Sequence, residues 1–233
     1  MTYRQLDAAH IIATLERLCH RIEERFPGAG LAGVGKELVS LARDCAREAE
    51  SLGRPNWAVR AGVAAAFAIM VALVLIATGG AIQLLRIQPE PVGLTELVQG
   101  TESAINDVVF LGIAIYFLAS VEGRIKRRAV LDRMHQLRSI AHIVDMHQLT
   151  KDPDGLGDSI ETESSPAETM SRAQLARYLD YCTEMLSLTG KIAALFVERF
   201  NDSDVLHAVN EIEDLTTGLS GKIWQKITIL ERV

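Results

Sequence analysis

The chain has 233 residues, with 24 basic and 30 acidic side chains for a net charge of −6, and is 48% hydrophobic but only 5% aromatic. That content excludes a disordered or collagen-like chain, and the acidic surplus argues against a nucleic-acid binder, whose affinity rests on basic charge meeting phosphate. The averages exclude little else, because apolar and charged residues are segregated along the chain.

Ile11, Leu15, Leu18, Ile22 and Phe26 recur every three or four positions, which predicts an amphipathic helix over about residues 3–25. Pro27-Gly28-Ala29-Gly30 breaks it. A second stripe, Leu31, Val34, Leu38, Leu41, Cys45 and Leu52, runs to Gly53 and Pro55. Residues 1–56 therefore read as a helical hairpin.

From Ala61 to Leu85 there are 25 residues without a charge. At about 1.5 Å per helical residue this covers the roughly 30 Å of a bilayer's hydrocarbon core, so 57–86 is expected to be a first transmembrane helix. Ala61, Ala65, Ala68 and Ala72 repeat at helical spacing, with Gly62 and Ala66 as a small-xxx-small pair. Small residues let backbones approach closely in lipid, which marks a packing face toward a second span or a neighbouring subunit. Trp57 stands where an interfacial anchor would.

A short external loop is expected over 87–103, followed by a helix over 104–150. The apolar run Val108–Val121 is only 14 residues, about 21 Å and too short to span alone. A spanning helix must therefore carry Asp107 or Glu122, which bracket it, to the hydrocarbon boundary. With no proline between Pro91 and Pro153, a continuous helix from about Thr101 to Thr150 is predicted. Its later part carries Val130, Met134, Leu137, Ala141 and Val144 as a stripe that needs a partner, either the N-terminal hairpin or a neighbouring subunit.

Arg43, Arg47, Arg54 and Arg60 precede the first span and Arg124, Lys126, Arg127, Arg128 and Arg133 follow the second, whereas the segment between the spans holds Arg86 alone. The positive-inside rule then makes both termini cytoplasmic. The cluster Arg124, Lys126, Arg127 and Arg128 is expected to set this topology and touch anionic lipid.

Residues 151–170 have six acids against one lysine, two prolines and two glycines, the composition of a flexible acidic linker. Ser171 with Gln174 then forms a capping box. A stripe of Leu175, Tyr178, Cys182, Met185, Thr189, Ile192 and Phe196 follows. Asn201-Asp202-Ser203 supplies a turn and a fresh cap for a last helix carrying Leu206, Val209, Ile212, Leu215, Leu219, Ile223 and Ile227. Residues 171–233 thus read as a C-terminal cytoplasmic helical hairpin. The expected fold class is all-α, a membrane protein with two transmembrane helices and a cytoplasmic helical bundle.

The runs SIAHIVDMHQLTKDP, RYLDYCTEMLSLTGKIAAL and AVNEIEDLTTGLSGKIWQKITIL resemble an uncharacterised family of bacterial two-span inner-membrane proteins with a cytoplasmic helical bundle. The layout is also similar to SLATT-type two-span effectors, through topology alone. The resemblance implies a bacterial inner (cytoplasmic) membrane location and carries over no functional residues.

Asp107 and Glu122 lie about 22 Å apart along a helix axis on a roughly common face, with Leu111, Ala114 and Leu118 between them. In a homo-oligomer this face would place a carboxylate ring at each mouth of a pore around an apolar constriction. The plainer reading has Glu122 paired with Lys126 one turn on and Asp107 capping the span. His135, His142 and Asp145 share a helix face and form a weak metal candidate without a strong zinc spacing. Cys19, Cys45 and Cys182 lie within or beside apolar stripes, as buried free thiols would. No Walker loop, dinucleotide-binding fingerprint or serine elbow occurs, so no enzyme and no cofactor are expected. The functional expectation is a homo-oligomeric membrane protein forming a cation-permeable channel through the second spans; the alternative is a non-conducting scaffold or adaptor that recruits a cytoplasmic protein through its C-terminal hairpin.

Overall fold

Six α-helices make up the computed structural model, which describes residues 5–87, 94–151 and 170–232, and no strand occurs among the described residues. α1 (Ala8–Arg25) starts at Asp7, whose Oδ1 accepts from the amides of Ala9 at 2.9 Å and His10 at 3.3 Å. Those amides have no partner inside the helix, so the carboxylate satisfies them. The predicted stripe Ile11, Leu15, Leu18 and Ile22 is buried. The chain reverses after Phe26 through Gly28 at φ +76°, a left-handed backbone that a Cβ disfavours. α2 (Gly30–Leu52) follows, and Gly35 lies so close to Cys19 that a Cβ there would stand 2.7 Å from the thiol sulfur.

The stalk stripe finds its partner within the chain. α4 (Leu94–Leu149) buries Val130, Met134, Leu137, Ala141 and Val144, and Arg133 reaches across to Glu48 on α2 at 2.7 Å. α5 (Arg172–Ala194) opens with the predicted capping box, Gln174 N–H donating to Ser171 Oγ at 3.3 Å and Ser171 N–H to Gln174 Oε1 at 2.8 Å. Beyond its predicted stripe α5 also buries Leu179, Leu186 and Leu188. A helix buried on more than one side is surrounded, and α5 packs against α1, α2 and α6. Phe26 meets Tyr178 and Tyr181 edge-on, with ring centroids 5.4 and 6.2 Å apart.

α6 (Ser203–Arg232) is capped by Asp202, whose Oδ1 accepts from the amides of Asp204 at 3.1 Å and Val205 at 3.2 Å. Its buried stripe begins at Val205, and Leu206, expected in it, is exposed. Met1–Arg54 and Arg127–Val233 form one compact unit, so α5 and α6 share a core with the first hairpin and the end of α4.

The second unit is Pro55–Lys126. It comprises α3 (Trp57–Ile87) and the first part of α4. Both helices are long and apolar enough to cross a membrane, and their apolar stretches are not buried inside the molecule as a soluble core helix would be. α4 begins at Leu94, which shortens the loop expected over 87–103 and moves the helix start upstream of residue 104. The expected boundary followed polarity, and polarity does not break a helix. The breakers before Leu94 in that stretch are Pro89, Pro91 and Gly93. Residues 88–93 of the predicted loop and 152–169 of the acidic linker lie outside the described residues.

Candidate functional site

Within the second unit the most elaborate polar arrangement is built around Glu122. Asn56 caps α3, its Oδ1 accepting from the amide of Val59 at 3.3 Å and its carbonyl from that of Arg60 at 2.9 Å. The Asn56 amide itself donates to Glu122 Oε1 at 3.0 Å. One turn into α3, Arg60 Nε donates to Glu122 Oε2 at 2.8 Å. From α4, Lys126 Nζ reaches Glu122 Oε1 at 2.9 Å, the i,i+4 pair expected from the spacing. One carboxylate therefore receives two cations and a backbone amide at a helix N-terminus, where the macrodipole also favours negative charge. The carboxylate side chain is only 16% exposed.

Of the residues expected on the face between the two carboxylates, Asp107 stands apart from the rest. Leu111, Ala114, Leu118 and Glu122 are half-buried, whereas Asp107 and the apolar side chains of Val108, Phe110, Ile113 and Tyr116 are exposed. Leu118 and Glu122 line a cleft of about 410 Å³ whose other wall is Val59, Arg60, Val63 and Phe67 of α3. Val59, Val63 and Phe67 of α3 thus face α4, while Ile69, Leu73, Leu75 and Ile76 are exposed. Ala61, Gly62, Ala65, Ala66, Ala68 and Ala72 are all exposed, and a Cβ added at Gly62 would meet nothing within 4 Å.

The basic cluster is divided among several tasks. The Arg124 guanidinium lies 4.6 Å above the Phe117 ring, Lys126 belongs to Glu122, and Arg128 is exposed. Arg127, in the bundle unit, binds Asp202 and Asp204 at 2.8 and 2.6 Å. His135 and His142 are exposed, and Asp145 accepts from Gln148 Nε2 at 2.7 Å. Among the described residues no group of three histidine, cysteine or acidic side chains converges to hold a metal. Cys19, Cys45 and Cys182 are buried free thiols.

Glu122 was recognisable in the sequence because a carboxylate interrupts an apolar boundary. Asn56 and Arg60 carried no comparable signal, since 66 and 62 positions separate them from Glu122 and only folding brings them together. No family model, curated protein or solved structure matches this chain.

Proposed function

We propose that this chain is a two-span protein of a bacterial inner membrane, with both termini cytoplasmic, that acts as a non-conducting, non-enzymatic scaffold presenting its helical bundle to a cytoplasmic protein. The observation that carries this reading is Glu122. A pore carboxylate must face permeant ions with charge to spare, whereas Glu122 is occupied by Arg60, Lys126 and the Asn56 amide of its own chain. For the scaffold, Trp224 is 59% exposed on α6, on the same helix side as the exposed Leu206, and exposed aromatics of this kind anchor protein partners. Self-association is supported by the uncovered small-residue face of α3, which suits close helix approach in lipid.

The second reading, a homo-oligomeric cation channel lined by α4, has Asp107 in its favour, exposed and without an ion pair among the described residues. Planar-bilayer recording of the purified full chain separates the two. Silence across ions and voltages is expected. Cation currents that change selectivity in Asp107→Asn or Glu122→Gln would overturn the scaffold.

A further inference from the structure

We propose that the cleft between α3 and α4 is a binding site for one anionic phospholipid, its acyl chain between the helices and its phosphate at Arg60. The cleft's volume of about 410 Å³ falls within the roughly 300–1,000 Å³ of small-molecule sites. Its wall is segregated along the helix axes. Val63, Phe67, Leu118 and Ala119 make an apolar trough, and both polar lining residues, Arg60 and Glu122, stand at one end. That is the polarity of an amphiphile with its head at an interface and its tail in hydrocarbon.

Charge decides which head fits. Arg60 and Lys126 outnumber Glu122 by one positive charge. Glu122 takes only the Nε of Arg60, whose side chain stays 56% exposed. Its terminal nitrogens have no hydrogen-bond partner among the described residues, and a guanidinium edge suits a phosphate. A zwitterionic head would place an ammonium against this cationic end. Glu122 holds Arg60 and Lys126 in place, so the lipid meets a preformed site. The proposal rests on reading α3 and α4 as membrane spans.

The test is native mass spectrometry of the full chain after exchange into detergent with equimolar phosphatidylglycerol and phosphatidylcholine. One retained phosphatidylglycerol per chain is expected, with little phosphatidylcholine. Arg60→Gln is expected to cut that preference on the order of fivefold, the effect of one interfacial cation. Because Arg60→Gln also opens the pair with Glu122, Ala64→Phe is the second variant. Ala64 lines the cleft from the α3 side, so phenylalanine there fills it, leaves every charge in place, and is expected to abolish retention. Equal retention of the two lipids, or undiminished retention by Ala64→Phe, would overturn the proposal. So would a dimer that Ala64→Phe splits, because the cleft would then hold a helix of a second copy. Release of the chain from native membranes by alkaline carbonate would instead remove the membrane reading itself, and the lipid site with it.

Discussion

Arg127 and Asp202 meet across 75 positions of sequence on a single oxygen. The arginine Nε and Nη2 stand 2.9 and 2.8 Å from Asp202 Oδ2, while Oδ1 of the same carboxylate caps α6 through the amides of Asp204 and Val205. Arg127 Nη1 adds Asp204 at 2.6 Å. One side chain thus satisfies a helix N-terminus and ties it to α4. Burial by itself would raise the Asp202 pKa, but the arginine and the two amides outweigh it and hold the carboxyl below its ordinary value.

Asp202→Ala is therefore expected to cost about 1–2 kcal/mol, as a lost cap does. Asp202→Asn should cost less, because asparagine caps well but gives up the charge. The pH dependence separates cap from charge. A carboxyl whose folded pKa is depressed adds stability that is fully present above its unfolded value, near ~3.9, and is lost as pH falls through the folded value. Urea midpoints of wild type and Asp202→Asn should accordingly converge on acidification. A gap as wide at pH 2 as at pH 7 would show that the charge contributes nothing.

Leu186 offers a test of the centre of the bundle. It is fully buried although it lies off the predicted stripe of α5. Leu186→Ala should cost about 2–5 kcal/mol, the price of a core cavity. Leu206→Ala, at an exposed position of α6, should stay within about 0.5 kcal/mol. Denaturant unfolding of the two variants checks both, and equal costs would contradict α5 as the central helix.

The contrast between those two leucines shows what local pattern reveals. Apolar spacing reports that a helix has a buried side, and it located Ile11 to Ile22 on α1, Val130 to Val144 on α4 and Leu175 to Ile192 on α5. It does not report how many neighbours a helix will have. Leu179 and Leu186 read as off-stripe until α1, α2 and α6 surround α5. Caps are equally local, so Ser171 with Gln174 and Asp202 could be read from a few consecutive residues. Asn56, Arg60 and Glu122 could not, because their relation exists only after α3 and α4 lie side by side. The α4 start was misplaced for another reason: hydropathy marks where lipid would end and says nothing of where hydrogen bonding ends.

Gly35 and Cys19 form a coupled pair. A Cβ at position 35 would sit 2.7 Å from the Cys19 sulfur, and overpacking of this kind costs about 1–3 kcal/mol. Against it stands the helical gain of alanine over glycine, about 1 kcal/mol. Gly35→Ala alone should come out destabilising or near neutral. In a Cys19→Ala background, where the sulfur is gone, the same change should stabilise by up to about 1 kcal/mol. A double-mutant cycle from thermal melts measures the coupling, and additive effects would mean that the two helices are not pinned together here.

The three thiols close at different depths. Burial pushes Cys19 up to about 11, with the Glu16 carboxylate adding to the rise, and pushes Cys45 and Cys182 up to about 12. Arg133 near Cys45 and Lys226 near Cys182 pull the other way and do not prevail. Since the thiolate is the reactive form, alkylation of the folded protein must wait either for that rare ionisation or for local opening. Maleimide at pH 8 should therefore label Cys19 first, at 9% exposure, and reach the fully buried Cys45 and Cys182 only as urea opens the bundle. Mass mapping of the alkylated peptides over time follows all three at once. Stoichiometric labelling of Cys182 before Cys19 in the absence of urea would show that α5 is not enclosed by its neighbours, since its sulfur would then be reachable without unfolding.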